Sequence, residues 1–162
     1  MADIGDQVTR SRMMAGIESK NTQPEMLLRR GLHYCGFRLR LHAAGLPGHP
    51  DLFLCKYNAV IFVHRCYWHR HENCRFETTP KLRREFWLPK FKATIERDTR
   101  NHYMLREQRW RIAIIWECSL RPKQASDTID EVGKWLESNE PCLELGQFSI
   151  RNQVLERRVG LP

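Results

Sequence analysis

Cysteine and histidine crowd into one short stretch of this chain, and that crowding restricts the possible fold more than any other feature. Cys66, His71 and Cys74 follow the spacing Cys-x4-His-x2-Cys, and Cys118 stands just after a later apolar run, Arg111 to Trp116. Structural zinc sites take four thiolate or imidazole ligands in a tetrahedron, often as closely spaced ligands plus others from a distant element. Three ligands from one loop and a fourth from a strand end fit that arrangement, and the ion would stiffen a long loop with little apolar content. The alternative makes the cysteines core residues and the histidines surface groups, and the clustering argues against it. Cys35, Cys55 and Cys142 stand in other contexts and read as ordinary structural residues. His64 and His69 remain once the ligands are counted. Each is open to three readings: surplus zinc ligand, exposed bystander or catalytic group.

The six cysteines do not suggest a disulfide framework. The start, Met1-Ala2-Asp3-Ile4-Gly5-Asp6, has an early acidic pair and no apolar core of a signal peptide, so a reducing cytoplasmic setting is expected. No apolar run approaches the roughly 20 residues of a membrane span. A length of 162 residues suits one domain, and 41% hydrophobic with 28% charged residues excludes a wholly disordered chain. Lys and Arg outnumber Asp and Glu by 27 to 19, a formal charge of +8 that favours polyanions, nucleic acid first and an acidic membrane second.

The elements follow from periodicity. Thr9 to Lys20 predicts a helix with Met13, Met14 and Ile17 on one side. Thr22-Gln23-Pro24-Glu25 reads as a capping box with proline in the first turn, followed by an apolar stripe (Leu28, Leu32) and a glycine cap at Gly36. Phe37, Leu39 and Leu41 alternate with charged residues as a strand does. Asp51 to Cys55 and Ala59 to Val63 predict an antiparallel hairpin. Glu85 to Gln108 predicts a long helix with Phe86, Phe91, Ile95 and Leu105 as core positions. Arg111 to Trp116 is a buried strand, and Asp127 to Leu136 a helix capped by Ser126. Trp87, Trp110, Trp116 and Trp135 are most simply core. Beyond Ser138 the pattern fades. The expected fold is α/β, a mixed central sheet flanked by helices, with one domain over residues 1–138 and a mobile tail over 139–162.

A second constellation is acidic. Gly48-His49-Pro50-Asp51 sets a carboxylate at the start of a strand, on rigid backbone that suits a magnesium ligand. Pro-Asp alone is common in turns. It gains weight from Glu25 on an earlier helix and from His64 at the end of the second hairpin strand. That arrangement resembles the PD-(D/E)xK nuclease core, in which two strands carry metal ligands side by side. Glu25 also has a purely local reading, because a capping box wants glutamate at that position.

The run Val60-Ile61-Phe62-Val63-His64-Arg65-Cys66-Tyr67-Trp68-His69-Arg70-His71 resembles the hallmark of the very short patch repair (Vsr) mismatch endonucleases. Thr9-Arg10-Ser11, Thr78-Thr79-Pro80, Glu85-Phe86-Trp87, Glu96-Arg97-Asp98 and Trp116-Glu117-Cys118 extend the resemblance over roughly residues 1 to 121. It implies a magnesium-dependent endonuclease that nicks one strand 5′ to the thymine of a T:G pair left by deamination of 5-methylcytosine. Asp51 would be the central metal-binding carboxylate, and Val63 would offer its backbone carbonyl to magnesium. His64 and His69 would act near the scissile phosphate, with His69 handling a proton and Asp98 supporting a histidine. Glu25 would orient water or assist proton transfer. Cys66, His71, Cys74 and Cys118 match the structural zinc ligands. Tyr67 and Trp68 match aromatics that wedge into the base stack from the major groove, and Met14 a wedge from the minor groove. The implied partners are mismatched double-stranded DNA and mismatch-repair proteins, for a nucleoid-associated monomer in the cytoplasm. Two departures stand out. Tyr67 replaces a usual phenylalanine. Arg65 replaces a usual glycine and would be strained if the position needs a positive φ. A zinc-stabilised mismatch binder without catalysis is therefore the alternative.

Overall fold

The computed structural model describes residues 7–16 and 20–147, and of these the side chains of Gln7, Arg10 and Met14 are left out. Two helices come first, α1 (Gln7–Ala15) and α2 (Gln23–Tyr34), followed by the strands β1 (Arg40–Leu41) and β2 (Leu52–Leu54). β3 (Ala59–His64) leads into the short helix α3 (Cys66–His69), then the long helix α4 (Arg84–Glu107) and β4 (Arg111–Trp116). The helix α5 (Ala125–Glu137) and the strand β5 (Cys142–Leu145) complete the order. The strands form one mixed sheet in the order β1-β2-β3-β4-β5, with β1, β2 and β3 antiparallel and β3, β4 and β5 parallel.

Period-two alternation sorts the strand residues into two cores. Ile61, Val63, Ala113 and Ile115 face Leu28 and Leu32 of α2 and Val132, Trp135 and Leu136 of α5. Val60, Phe62, Ile112, Ile114 and Trp116 face Leu105 of α4 and the cysteines of the 66–118 set. The result is three layers, helix on sheet on helix. Both faces are covered, so β3 and β4 are almost wholly apolar rather than alternating with polar residues. Gly31 lets α2 and α5 approach closely, since a Cβ there would fall 2.4 Å from Ile129 Cδ1. Arg111 closes the far end of the sheet by donating to the carbonyls of Tyr57, Trp135, Leu136 and Glu140.

The structure revises several expectations. α1 ends at Ala15 rather than reaching Lys20, and Ile17 lies outside the described residues. The strand expected over Phe37–Leu41 pairs only at Arg40 and Leu41. The Phe37 amide instead bonds back to Leu32 O across Gly36 at φ 92°, and its ring packs on Tyr57. α5 begins at Ala125 with Gln124 at its N-cap, so Ser126 sits inside the helix rather than capping it. Phe86 is 42% and Ile95 39% exposed, because α4 buries only Phe91, His102 and Leu105. Trp87 is half-buried beside Phe91, and Trp110 is also only half-buried. The stretch 139–162 contains β5, which pairs with β4 over Cys142–Leu145; residues 148–162 lie outside the described residues. Among the described residues no helix is long and apolar enough to cross a membrane.

Candidate active site and metal centre

Two chemically distinct sites meet at the C-terminal end of β3. Parallel strands leave a crevice beyond their carboxyl ends, where loops can converge on a ligand. Here α3 follows β3 directly and a 3-10 turn, Glu117–Leu120, follows β4 directly.

The first site is the Cys66, His71, Cys74 and Cys118 set. All four are buried, and their ligand atoms lie within 4.8 Å of one another. Cys66 Sγ stands 3.5 Å and Cys118 Sγ 3.4 Å from His71 Nδ1. Metal bonds of about 2.3 Å to sulfur and about 2.0 Å to nitrogen, at a tetrahedral angle, separate those atoms by about 3.5 Å. The donor set therefore fits one tetrahedral ion. A hydrogen bond from Cys66, with help from His71 and the Gln147 amide, holds the Cys118 thiol down to about 4. The same shared proton and burial push Cys66 up. The Trp116 ring stacks on His71 at 4.2 Å, and its indole donates to the buried Glu144 carboxylate at 2.7 Å. Glu117 accepts the Cys66 amide at 3.0 Å. Arg70 ties the loop down from outside, donating to Thr78 O and Thr79 Oγ1 and pairing with Glu77 at 2.9 Å.

The second site is a cleft of about 1010 Å³ whose walls include Glu25, Asp51, His64, Arg65, His69 and Asp98. Asp51 enters from the Gly48–Asp51 turn. Gly48 has φ 76°, and a Cβ there would stand 3.0 Å from Asn101 Cβ on α4, so glycine serves both backbone and packing. Asp51 Oδ2 accepts the Val63 amide at 2.7 Å, which joins the start of β2 to the end of β3. Burial, reinforced by the neighbouring Glu25 carboxylate, pushes Asp51 up to about 7 against the pull of that amide. Glu25 is buried and accepts the Asn21 amide at 2.9 Å and the Thr22 hydroxyl at 2.8 Å. The expected reciprocal capping box is not formed: the Thr22 side chain makes no cap hydrogen bond to the helix backbone, and Glu25 takes the amide of the residue before the N-cap, while also lining the cleft.

On the α4 side, His69 Nδ1 lies 2.5 Å from Asp98 Oδ2. The rings of His64 and His69 stack at 3.8 Å with 8° between their planes. His64, His69 and Asp98 form a second compact set of donor atoms. Neither histidine belongs to the cysteine cluster. His102, absent from the sequence expectations, is buried on the same wall with its ring 4.9 Å from Phe62 and 5.8 Å from His64. It follows Asp98 by four residues on one helix, a spacing that shares a face and could have flagged it.

The backbone at Arg65 has φ −76° and ψ 129°. These are ordinary extended values that any residue adopts, so the expected strain of arginine at this position is absent. The half-buried Tyr67 and Trp68 build an aromatic group with Trp87 and Phe91, with centroid separations of 5.1 Å for Tyr67–Trp68, 5.3 Å for Tyr67–Phe91 and 5.9 Å for Trp68–Trp87. Lys90 and Arg83 lie over the exposed Phe86 ring beside it. Met14 falls on α1, and its side chain is outside those described.

Comparison with known proteins bears on this geometry. Residues 2–75 match the family model for DNA mismatch endonuclease Vsr. The chain is 42% identical over 124 residues to the DNA mismatch endonuclease Vsr of Escherichia coli, covering 76% of this chain and 79% of that one. It is 43% identical over 120 residues to the type II nicking enzyme V.XorIIP of Xanthomonas oryzae, covering 74% and 88%. Against the type II nicking enzyme V.NmeAIP of Neisseria meningitidis the identity is 39%, over 76% and 87% of the two chains.

Proposed function

Because the chain belongs to the Vsr DNA mismatch endonuclease family, and is thus an endonuclease acting on DNA, we propose that it is a magnesium-dependent enzyme that nicks one strand 5′ to the thymine of a T:G mismatch. The observation that carries this reading is the opposition, across one cleft, of the Asp51 carboxylate and the His69–Asp98 pair. The fold around them is read as a PD-(D/E)xK core, supported by the carboxylate at the start of β2 tied to the backbone of β3.

Asp51, Glu25 and the Val63 carbonyl would hold magnesium. A buried carboxylate pushed up by burial and by a second carboxylate is relieved by a cation, and an all-oxygen donor set suits this one. When bound, magnesium supplies charge stabilisation at the phosphate and acidifies water for attack. The remaining steps belong to the protein. Asp98 fixes a proton on His69 Nδ1, so Nε2 is free to hold the proton that the leaving oxygen takes. His64, stacked on His69 and walled by Phe62 and Trp116, keeps that ring from turning. Glu25, pinned by Asn21 and Thr22, orients water beside Asp51. The cysteine–histidine cluster is a zinc site that fixes α3, and with it His69, relative to β4. Tyr67 and Trp68 are the wedge. Unstacking costs a few kcal/mol per step and least at a mismatch, so insertion itself selects damaged sites.

A labelled duplex pair, T:G and T:A in one methylation context, tests this. Magnesium-dependent nicking confined to the T:G strand, and lost with chelator and in Asp51→Ala, is the expected result. Mismatch binding without a nick in any sequence context would replace the enzyme with a binding protein, and equal cutting of both duplexes would remove the mismatch from its function.

A further inference from the structure

Arg65 is a residue of the cleft that the preceding reading leaves without work. It stands between His64, the last residue of β3, and Cys66, the first residue of α3 and a member of the buried cluster. Its backbone is therefore held from both sides. The backbone is extended through it, so alternation carries its side chain to the side of Val63 and away from His64. Val63 packs on the α2–α5 face, whereas Phe62 and Trp116 belong to the α4 face. The two histidines, Glu25 at the N-terminus of α2 and Arg65 all line one cleft. Arg65 is half-buried, and among the described residues its guanidinium takes part in no hydrogen bond or ion pair. Arg97, on the same cleft, already pairs with Asp98.

A guanidinium half-withdrawn from water without a protein acceptor is matched to an anion that arrives with the ligand. Its planar fork suits two oxygens of one phosphate better than a single point acceptor does. We propose that Arg65 is a substrate-contacting cation that grips non-bridging oxygens of the backbone phosphate entering the cleft that it lines with His64 and His69. The assignment rests on the endonuclease reading for which phosphate it grips, though not for whether it grips one. It gives the phosphate three chemically distinct neighbours: carboxylates, imidazoles and a guanidinium. A charge that grows on the phosphate oxygens during cleavage would meet a donor already in position, which is the most effective form of electrostatic assistance.

The test uses the full chain loaded with zinc, and three variants, Arg65→Met, Arg65→Gln and Arg65→Lys, on one T:G duplex. Two quantities are read: single-turnover nicking with magnesium, and the salt dependence of duplex binding without it. Arg65→Met is expected to nick about 100-fold more slowly, the scale of removing one donor from a developing oxyanion. Its plot of log binding constant against log salt should flatten by about 0.9, the loss of one phosphate contact. Arg65→Lys should keep the slope while losing part of the rate, because it retains charge without the fork. Arg65→Gln repeats the measurement with a polar replacement should the methionine variant fail to fold. A wild-type slope in Arg65→Met or Arg65→Gln overturns the assignment. Because the slope needs no cutting, a wild-type protein that never nicks would defeat the endonuclease reading and still leave Arg65 to be decided.

Discussion

His69 Nδ1 and Asp98 Oδ2 lie 2.5 Å apart, joining the four-residue helix α3 to the middle of α4. The pair does two things at once. It selects the tautomer of His69, and it fixes the ring of a residue whose own helix is too short to hold it. Asp98→Asn keeps the shape and removes the charge, so the ring can turn or adopt the other tautomer. Nicking by Asp98→Asn is expected to fall about 10- to 100-fold, in line with the loss of a carboxylate that orients a working histidine. The pH profile of the single-turnover rate should shift as well, while zinc content and melting temperature stay close to wild type. An unchanged rate would leave Asp98 a structural tie between α3 and α4.

Burial, reinforced by the Glu25 carboxylate, pushes the Asp51 carboxyl up to about 7, well above an ordinary carboxylate. A group raised in the folded state stabilises the protein fully below its unfolded value, near 4, and that contribution is lost as pH rises toward 7. The metal-free protein should therefore lose stability between about pH 4 and pH 7. Asp51→Asn should flatten that loss. Magnesium should raise the melting temperature more at pH 8 than at pH 5, since at the lower pH it must displace a proton from Asp51. Thermal melts across this range, with and without magnesium, check both statements. A melting profile with the same slope in wild type and Asp51→Asn would exclude the carboxylate as its source.

Cys118 lies on the turn after β4, whereas Cys66, His71 and Cys74 lie between β3 and α4. A metal ion held by this set would staple the ends of two parallel strands, and its removal would free the segment that carries Tyr67, Trp68 and His69. Cys118→Ser should reduce bound zinc from one equivalent to a small fraction, measured by metal emission. It should destabilise the fold by more than about 4 kcal/mol, as the loss of a structural metal does. Nicking should vanish with the metal. Full zinc occupancy in Cys118→Ser would show that the fourth ligand comes from elsewhere.

How much of this was legible in the sequence varied with the physics of each part. β3 and β4 announced themselves because a strand covered on both faces has to be apolar throughout, and α2 because its capping residues and Gly36 mark both ends. β5 was hidden. It has four residues, one of them the buried Glu144, whose carboxylate accepts the indole N–H of Trp116, 28 residues earlier. No local pattern carries such a partner. The cysteine–histidine cluster was legible from the spacing of Cys66, His71 and Cys74 and from the place of Cys118 just after an apolar strand. The cleft was not: Asp51 and His69 are neighbours only once β2, β3 and α3 have taken their places, and it was family resemblance that paired them. His102 escaped notice although it sits one helical turn beyond Asp98. The expected need for glycine at Arg65 failed because the chain leaves β3 in an extended conformation before α3 begins.

Gly48 links fold and site most directly. Its φ of 76° lies where residues with a Cβ are strained, and an added Cβ would stand 3.0 Å from Asn101 Cβ and 3.1 Å from its amide nitrogen. The two penalties have separate effects. Backbone strain, about 1 kcal/mol for a left-handed residue, acts on the turn itself. The close contact pushes the turn away from α4, which carries Asp98 one helical turn before Asn101. Since Asp51 follows Gly48 by three residues, Gly48→Ala should widen the distance between the carboxylate and the histidine pair. The expected outcome is a modest loss of stability, about 1–2 kcal/mol by denaturant titration, with a disproportionate fall in nicking of about 100-fold, the scale on which small misplacements of reacting groups act. Gly48→Ala with Asn101→Gly relieves the contact and leaves the strain, so it should recover most of the rate and little of the stability. Recovery of neither in the double variant would mean that the backbone conformation of the turn, rather than its spacing from α4, positions Asp51.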